Sequence, residues 1–422
     1  MVLVNTMGSM CSFENDTLTD NDDDTDQQND SYYQNEIHYQ NDDTSNDDCI
    51  TDNSFSNDDN DLSDSQRIIN ALPKQLTKAD NIYQSSNIIA QKLFNVLDQN
   101  CVCSPFSIAY IMSLIHLGSI GKTELQITNL MKIKNTVNDL LSCSKIFNTD
   151  IIKLVNIIMV NKNIPIKKDY LRIVNQLALV SSEDFSNCNN YRTIVVKANL
   201  FIEQSTNGLV QDILNEEMIN VNTSIISVNT IYFKTKWAKS FIKTNTKKKK
   251  FNTVKLEMMT NTEFYLYYED RNVQLVELPF NGNEYCMGII LPKKYLSINS
   301  CGNYLGSEVL FMQTFVEIHI PKFTQRKQID LVPYMQRMDI INIFERTCRL
   351  DNMVSGTGAY ISTMIHEAVI IVDEDGVEED ISQSKYDEVD PIIFKANHSF
   401  VYYIKHYPTN TLLFVGDFYG NN

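Results

Sequence analysis

Apolar residues recur at helical spacing along the first structured part of the chain. The pattern predicts helices at Asn81 to Asn100, Phe106 to Leu117, Thr123 to Leu141 and Leu200 to Asn220. The second helix is the most apolar of them, and we expect it to be fully buried. Ser104 supplies its N-cap, Pro105 its first turn and Gly118 its stop. Gly208 interrupts the fourth helix.

Later in the chain the apolar pattern changes to that of strands. Short runs rich in β-branched and aromatic residues predict strands at Ile225 to Lys234, Val273 to Pro279, Tyr285 to Pro292, Phe315 to Ile320, Ala368 to Val372 and Phe400 to Lys405. Helices come first and strands dominate afterwards. This segregation predicts an α+β domain rather than alternating βαβ units.

Acidic residues are concentrated at the start of the chain. Residues 1–66 hold 18 Asp and Glu and no Lys or Arg, whereas residues 67–422 carry 35 acidic and 36 basic groups. The first segment has too little apolar surface to offset roughly 1–2 kcal/mol of backbone entropy per ordered residue. We therefore predict a disordered acidic tail at 1–66, a linker at 67–80 and one folded domain at 81–422.

The acidic tail could mimic nucleic acid or occupy a basic partner. The preferred interpretation is a solvated segment without a function of its own, or an upstream start codon, since Met7 and Met10 lie nearby. No function is assigned to the tail.

Basic residues form no stripe, and together with a pI of 4.8 this argues against nucleic-acid binding. The one exception is the run from Lys247 to Lys250, just before Phe251. In this turn-like stretch a solvated loop is favoured over an anion site.

Nothing in the sequence predicts export or a membrane span. Residues 1–5 lack the basic start and the apolar core of a secretory signal. The best candidate for a span, Ser144 to Val160, is interrupted by Lys145, Asp150 and Lys153. We therefore expect a cytoplasmic rather than an extracellular protein.

Nine cysteines are scattered along the chain, and without export we expect reduced thiols. Cys101 and Cys103 could form half of a metal site, but no second pair and no nearby His completes four ligands. Buried strand thiols are the preferred interpretation, and we predict neither a metal nor a cofactor.

Motifs of common enzymes are also missing from the sequence. There is no GxSxG or HExxH string, and the six histidines show no spacing typical of a nucleophile or a metal site. We therefore predict that the protein is not an enzyme.

Seven short strings occur in a fixed order after residue 81. They are CSPFSI at 103–108, LGSIGKT at 117–123, NLFIEQSTNG at 199–208, VNTIYFKTKW at 228–237, ELPFNG at 277–282, IPKF at 320–323 and LLFVG at 412–416. In this order they resemble the serpin family of serine protease inhibitors, over almost all of the chain after residue 81. VNTIYFKTKW is the strongest match, to VNAIYFKGxW, whereas Phe201 stands where Trp is usual.

The resemblance implies a serpin fold, with helices packed on a large mixed central sheet, further smaller sheets and an exposed reactive-centre loop at about 373–395. Residues 199–208 resemble the family's helix that packs across the main sheet. In its abundance of Asn, Ile, Lys and Tyr and its lack of a signal peptide, the sequence resembles intracellular serpins of poxvirus type.

Trp237, His366 and Asn229 stand at positions that, by resemblance, support the region where the loop enters the sheet. Each also has a plain structural interpretation. Trp237 is a large core side chain, and His366 is a hydrogen-bonded interior histidine. On either interpretation these residues are not catalytic.

The hinge of the loop is similar to the family's EEGTE string. It comprises Glu374, Asp375, Gly376, Val377 and Glu378. Gly376 gives this hinge its backbone freedom. The family usually places the scissile residue fourteen positions after that glycine, so the resemblance implies a reactive bond between Asp390 and Pro391.

The residues before this bond suggest the target. Asp387, Glu388, Val389 and Asp390 spell the tetrapeptide that executioner caspases prefer as a family. A protease that selects aspartate pairs the carboxylate with a cationic pocket, and charge-assisted bonds of this kind discriminate strongly. The alternative is an acidic solvated loop that spells the tetrapeptide by accident.

Two departures from the family bear on inhibition. In a strand, Val377, Glu379, Ile381 and Gln383 share one face, and burying Glu379 there would cost several kcal/mol unless it were neutralised or paired. Pro391 follows the expected bond, where caspase-type enzymes disfavour proline. Binding without turnover, cleavage after Asp387, and recognition of Lys385 or Tyr386 by another protease all remain open.

We therefore predict a monomeric, serpin-type protease inhibitor. Its partner is expected to be a caspase-like or granzyme B-like protease, and its effect to be suppression of apoptosis or inflammation in a host cell. The alternative is a non-inhibitory serpin-fold binding protein or a decoy substrate, for which the charged segment Glu378 to Asp380 is the discriminating feature.

Overall fold

The structure is a computed structural model that describes residues 80–132, 137–293, 296–375 and 390–420. Its α-helices are α1 Asp80–Phe94, α2 Pro105–Gly118, α3 Gly121–Met131, α4 Val137–Ile146, α5 Lys168–Val174, α6 Tyr191–Ser205 and α7 Val332–Arg337. Short 3-10 turns lie at Cys188–Asn190, Glu216–Met218, Lys243–Asn245, Ile298–Tyr304 and Asn342–Phe344. The tail predicted at 1–66 lies outside the described residues.

The described strands fall into two sheets. They are β1 Val102–Cys103, β2 Ile152–Asn161, β3 Leu179–Glu183, β4 Ile225–Phe233, β5 Lys247–Phe251, β6 Val254–Glu269, β7 Val273–Pro279, β8 Tyr285–Pro292, β9 Met312–Pro321, β10 Phe323–Asp330, β11 Ile361–Val372, β12 Ile392–Lys395, β13 Phe400–His406 and β14 Thr411–Phe418. Helices precede most strands in chain order, and the predicted α+β class is confirmed.

The smaller sheet has five strands in the order β10-β11-β4-β2-β3. Its centre is a parallel ladder between β4 and β11, from Ile225 beside Ile361 to Phe233 beside Ile370. Helix α6 covers one face, because Ile194, Val195, Ala198 and Ile202 share a buried apolar cluster with residues of β2, β4 and β11. This helix overlaps the string expected to pack across the main sheet.

The larger sheet has nine strands, in the order β1-β14-β13-β8-β7-β6-β9-β12, with β5 beside the first part of β6. The long strand β6 joins two regions of this sheet. It pairs with β5 over residues 254–258, with β9 over 258–267 and with β7 over 266–269. One end of the sheet therefore carries four neighbouring strands, β12, β9, β6 and β5.

Three helix predictions were wrong in their bounds. The helix expected at Asn81 to Asn100 ends at Phe94. Thr123 to Leu141 is not one helix, because Lys132 adopts a left-handed conformation with φ 57° and ends α3. The helix expected at Leu200 to Asn220 begins nine residues earlier, at Tyr191, and ends at Ser205. Beyond it, Asn207 (φ 54°) and Gly208 (φ 78°) turn the chain. The buried second helix is confirmed, with Ser104 Oγ accepting a hydrogen bond from Ser107 N at 3.1 Å.

The lysine run was wrongly predicted as a loop. Lys247–Phe251 is strand β5, antiparallel to Val254–Met258 in β6. The interpretation of Cys101 and Cys103 as buried thiols at a strand is confirmed, and burial raises the pKa of Cys101 to about 12.

In the described part of the chain, no helix has both the length and the apolar character to cross a membrane. Over the same residues, no three His, Cys, Asp or Glu side chains are grouped to hold a metal ion.

Candidate functional site

The described hinge residues lie where the chain leaves β11 of the smaller sheet. Three bonds from one neighbouring segment hold them. Trp237 Nε1 donates to the carbonyl oxygen of Asp373 at 2.7 Å, and Trp237 N donates to that of Asp375 at 3.0 Å. Phe241 N donates to the carbonyl oxygen of Glu374 at 3.2 Å. The chain is therefore fixed as far as Asp375, directly before Gly376.

Trp237 reaches the hinge because it is held on its other side. Its ring stacks on Phe280 with centroids 4.5 Å apart and planes 16° from parallel, and an isolated β-bridge joins the two residues. Phe241 packs edge-on against the same indole at 5.7 Å. Trp237, which by resemblance supports the region where the loop enters the sheet, therefore contacts the described part of the hinge.

Glu374 is the buried member of the hinge, with only 6% of its surface exposed. Its Oε2 accepts from Lys322 Nζ at 2.7 Å. Burial is the largest single influence and raises the pKa of Glu374, but the hydrogen bonds that the carboxylate accepts, first among them that from Lys322, and the charge of Lys322 together outweigh it, so the pKa lies below its usual range. The next residue, Asp375, is exposed and pairs with Lys243 Nζ at 3.3 Å.

Beyond the hinge, Gly376, Val377 and Glu378, and also Asp387, Glu388 and Val389, lie outside the described residues. On the other side of this segment, Asp390 is exposed and Pro391 is half-buried.

The last four residues of the expected loop form a strand. Ile392–Lys395 is β12, and it runs parallel to β9 at the edge of the larger sheet. Phe394 is fully buried, whereas Ile392 and Ile393 are exposed. Asp390 is thus presented two residues before a firmly anchored strand, and the segment between Asp375 and Asp390 connects the two sheets.

His366 and Asn229 do not lie at the hinge. They are opposite each other in the β4–β11 ladder, and His366 is seven residues before Asp373, about 23 Å along an extended strand. Ser104 N donates to His366 Nε2 at 3.0 Å, so Nδ1 carries the proton and donates to Asn229 Oδ1 at 2.7 Å. Burial lowers the pKa of His366 to about 3.

These two residues therefore join the sheet to helix α2. Ser107 Oγ also donates to Asn229 Oδ1 at 2.6 Å, and Asn229 Nδ2 donates to Asn156 Oδ1 at 2.6 Å. The interpretation of His366 as a hydrogen-bonded interior histidine agrees with this geometry.

The sequence prediction missed the two lysines at the hinge. Lys322 and Lys243 are distant from residues 373–375 along the chain, and only the fold brings them to Glu374 and Asp375. The one available signal was the position of Lys322 inside the IPKF string, which did not indicate its partner.

Known proteins resemble this chain over most of its length. Residues 85–420 match the model of a family described as Serpin (serine protease inhibitor). An uncharacterized serpin-like protein of Acanthamoeba polyphaga mimivirus is 33% identical over 376 residues, covering 84% of this chain and 93% of that protein. The leukocyte elastase inhibitor of Equus caballus is 27% identical over 369 residues, covering 78% and 96%.

Solved structures share the fold. Serpin48, described as a highly specific serpin of the insect Tenebrio molitor, has a TM-score of 0.73 at 22% identity, covering 82% of this chain and all of that one. Uncleaved ovalbumin has a TM-score of 0.74 at 21% identity, covering 80% and 99%. At such identities the likeness shows the arrangement of helices and sheets alone.

Proposed function

Because the chain belongs to the serpin family of protease inhibitors, we propose that it offers Asp390 as bait to an aspartate-directed protease of the caspase or granzyme B type. The observation that carries the proposal is the exposure of Asp390 two residues before the anchored strand β12. A side chain presented there is free to enter a cationic pocket, where bidentate arginine contacts favour a carboxylate. The preceding Asp387, Glu388 and Val389 supply the rest of the recognised sequence.

The proposed reaction begins as ordinary proteolysis. The nucleophilic oxygen or sulfur of the protease attacks the carbonyl carbon of Asp390, the bond to the nitrogen of Pro391 breaks, and that nitrogen leaves with a proton as a new chain end. The protease remains attached to Asp390 as an acyl-enzyme. Insertion of the released loop between β4 and β11, ahead of hydrolysis, would trap it.

Two residues weigh on this reaction. Insertion would bury one face of the loop, and Glu379 on that face has to be neutralised or paired. Pro391 restricts the backbone at the reactive bond and alters the leaving nitrogen. A second candidate function, a decoy substrate that is cleaved without trapping, is favoured by Glu379 in particular.

The test is incubation of the full chain with executioner caspases and with granzyme B. We expect a covalent complex that survives denaturant, and we expect Asp390→Ala to abolish it. Asp150→Ala is the matched control, because Asp150 is an exposed aspartate far along the chain from the loop. If neither a complex nor cleavage appears with any of these proteases, the proposal is wrong.

Cleavage without a complex would favour the decoy. Mass spectrometry of the products then distinguishes a cut after Asp390 from one after Asp387, Lys385 or Tyr386. In that case Glu379→Ala combined with Asp380→Ala should partly restore trapping if insertion is the slow step. No gain in complex would reject this explanation of the failure.

We further propose that the protein acts in the cytoplasm, where its target would be a protease of cell death or inflammation. Expression of the chain and of Asp390→Ala in cells with induced caspase activity tests this role. Equal caspase activity in both would argue against it.

A further inference from the structure

Strand β5 is an open edge of the larger sheet. It pairs with β6 from Lys247 beside Met258 to Phe251 beside Val254, and among the described residues it pairs with no other strand. In an antiparallel ladder, alternate residues direct their backbone N–H and C=O groups away from the neighbouring strand. The outer side of β5 therefore presents hydrogen-bonding groups to solvent.

This edge carries a run of four lysines. Lys247, Lys248 and Lys250 are exposed and Lys249 is half-buried. Within the described ranges, none of the four has a carboxylate within 4.0 Å. Across the ladder Lys248 faces Glu257, whose carboxylate lies beyond 4.0 Å, whereas Lys250 faces another lysine, Lys255, a like-charge pair that disfavours the strand.

The lysines just before β5 behave differently. Lys239 pairs with Glu263 at 2.9 Å, and Lys243 pairs with Asp375 of the hinge at 3.3 Å. Lys249 Nζ lies 3.1 Å from His319 Nδ1, which offers it a lone pair but no negative charge. The run of four lysines without an ion pair to a described residue thus starts four residues after a lysine that contacts the hinge.

We propose that β5 binds an extended acidic segment of a partner protein, which adds to the sheet as a further strand. The lysines identify this type of ligand because they lie on both faces of the strand, Lys247 and Lys249 on one and Lys248 and Lys250 on the other. A polyanion lying flat on one face would meet only one of these pairs. A paired strand alternates its side chains with the same repeat of about 6.8 Å and meets both.

The charges also exclude another occupant. A second copy of this chain pairing through the same edge would bring two runs of four lysines together, and like charges directly opposite each other destabilise a ladder. An acidic strand receives the backbone bonds of the edge and cross-strand ion pairs together. The competing interpretation is that the lysines only keep the edge from aggregating.

Binding is measured on the full chain with fluorescein-labelled hexaglutamate at about 50 mM salt, where screening is weak. The decisive comparison is a hexaglutamate that is N-methylated at every peptide nitrogen, because it keeps every side-chain charge and loses the backbone donors on both of its edges. We expect the N-methylated peptide to bind at least about tenfold more weakly, and a sulfated hexasaccharide of equal charge to bind more weakly still.

The variant Lys248→Glu/Lys250→Glu should abolish binding of hexaglutamate. Its matched control is Lys167→Glu/Lys168→Glu, which makes the same change of charge at two exposed lysines at the start of α5 and should bind as the natural chain does. Thermal unfolding verifies that both variants fold, and the comparison of peptides on the natural chain does not depend on either variant.

Three results would overturn the proposal. Equal binding of the N-methylated peptide would reduce β5 to a charged patch. Tighter binding of the sulfated hexasaccharide would identify a carbohydrate site. No binding of hexaglutamate, with self-association of Lys248→Ala/Lys250→Ala, would leave the lysines as protection of the edge. None of these results bears on the reaction proposed at Asp390.

Discussion

At the scale of single residues, the neighbours of His366 determine where its proton lies. Ser104 N donates to Nε2, so the ring is neutral and uses Nδ1–H toward Asn229. No carboxylate takes part in these contacts. The ring therefore joins helix α2 to the ladder of β4 and β11 only while it carries no charge.

This makes stability depend on pH. Burial lowers the pKa of His366 from its ordinary 6.5 to about 3. Between pH 6.5 and about pH 3, His366 is therefore protonated in the unfolded chain and neutral in the folded chain. Stability from this group is complete above pH 6.5 and is lost as the pH falls, by about 1.4 kcal/mol per pH unit. Urea unfolding from pH 7 to pH 4.5 should show a shallower dependence for His366→Gln, and parallel curves would contradict this account.

A second residue-scale prediction concerns the hinge pair. The side chain of Glu374 is 7% exposed and that of Lys322 is 41% exposed. Loss of the partner should therefore cost more stability when it leaves Glu374 unpaired than when it leaves Lys322 unpaired. Lys322→Met leaves a buried carboxylate unpaired and should lower the free energy of unfolding by roughly 1–3 kcal/mol. Glu374→Gln leaves a lysine that water solvates, and should lower it less. The opposite order in urea unfolding would contradict the explanation.

At the scale of elements, the hinge depends on the segment from Trp237 to Phe241. Trp237→Phe keeps an aromatic ring against Phe280 and removes the donor to the Asp373 carbonyl. We expect faster hydrogen exchange at the amides of residue 237 and Phe241, which donate to the carbonyl oxygens of Asp375 and Glu374. The free energy of unfolding should fall by about 0.5–1.5 kcal/mol. It should fall further in Trp237→Leu, which also removes the stacking. Unchanged exchange in Trp237→Phe would mean that the indole N–H does not hold the hinge.

The sequence predicted some of the buried apolar strands and missed others, because β2 and β14 are also apolar and buried and were not predicted. Val273–Pro279 and Tyr285–Pro292 were found with their exact bounds, because both are apolar runs that become buried. Strand β6 was missed because it is half-exposed and carries polar residues on both faces. Strand β5 was missed because four lysines have no strand preference, and only pairing with β6 makes them one.

The candidate site divides in the same way. Trp237 and Glu374 belong to strings that could be read locally, and the structure brings both to the hinge. Lys322 and Lys243 contribute through space, so no spacing in the sequence could indicate their partners. His366 and Asn229, which by resemblance support the region where the loop enters the sheet, lie opposite each other within the ladder of β4 and β11, and no local string indicated that pairing.

At the scale of the whole molecule, the family resemblance read from the ordered strings is confirmed by the matching family model over residues 85–420. The two sheets hold opposite ends of one segment, the smaller at Asp373–Asp375 and the larger at Ile392–Lys395. Cutting that segment frees it from the larger sheet.

Cutting should therefore reveal whether the smaller sheet accepts another strand. We expect cleavage within residues 376–390 to raise the midpoint of thermal unfolding by more than about 10 °C, because a new central strand adds a ladder on each side. Calorimetry of intact and cut protein measures this. An unchanged midpoint would mean that the fold is not a working trap.

The ladder of β4 and β11 also gives such an insertion a direction. The loop follows the end of β11 that lies beyond Ile370. An entering loop therefore separates the pair of Phe233 and Ile370 first and the pair of Ile225 and Ile361 last. Val377 and Glu379 would arrive while almost every pair is still closed. A substitution early in the loop would thus affect how often separation of β4 and β11 begins. A substitution close to Asp390 would take effect only after most of the ladder had separated.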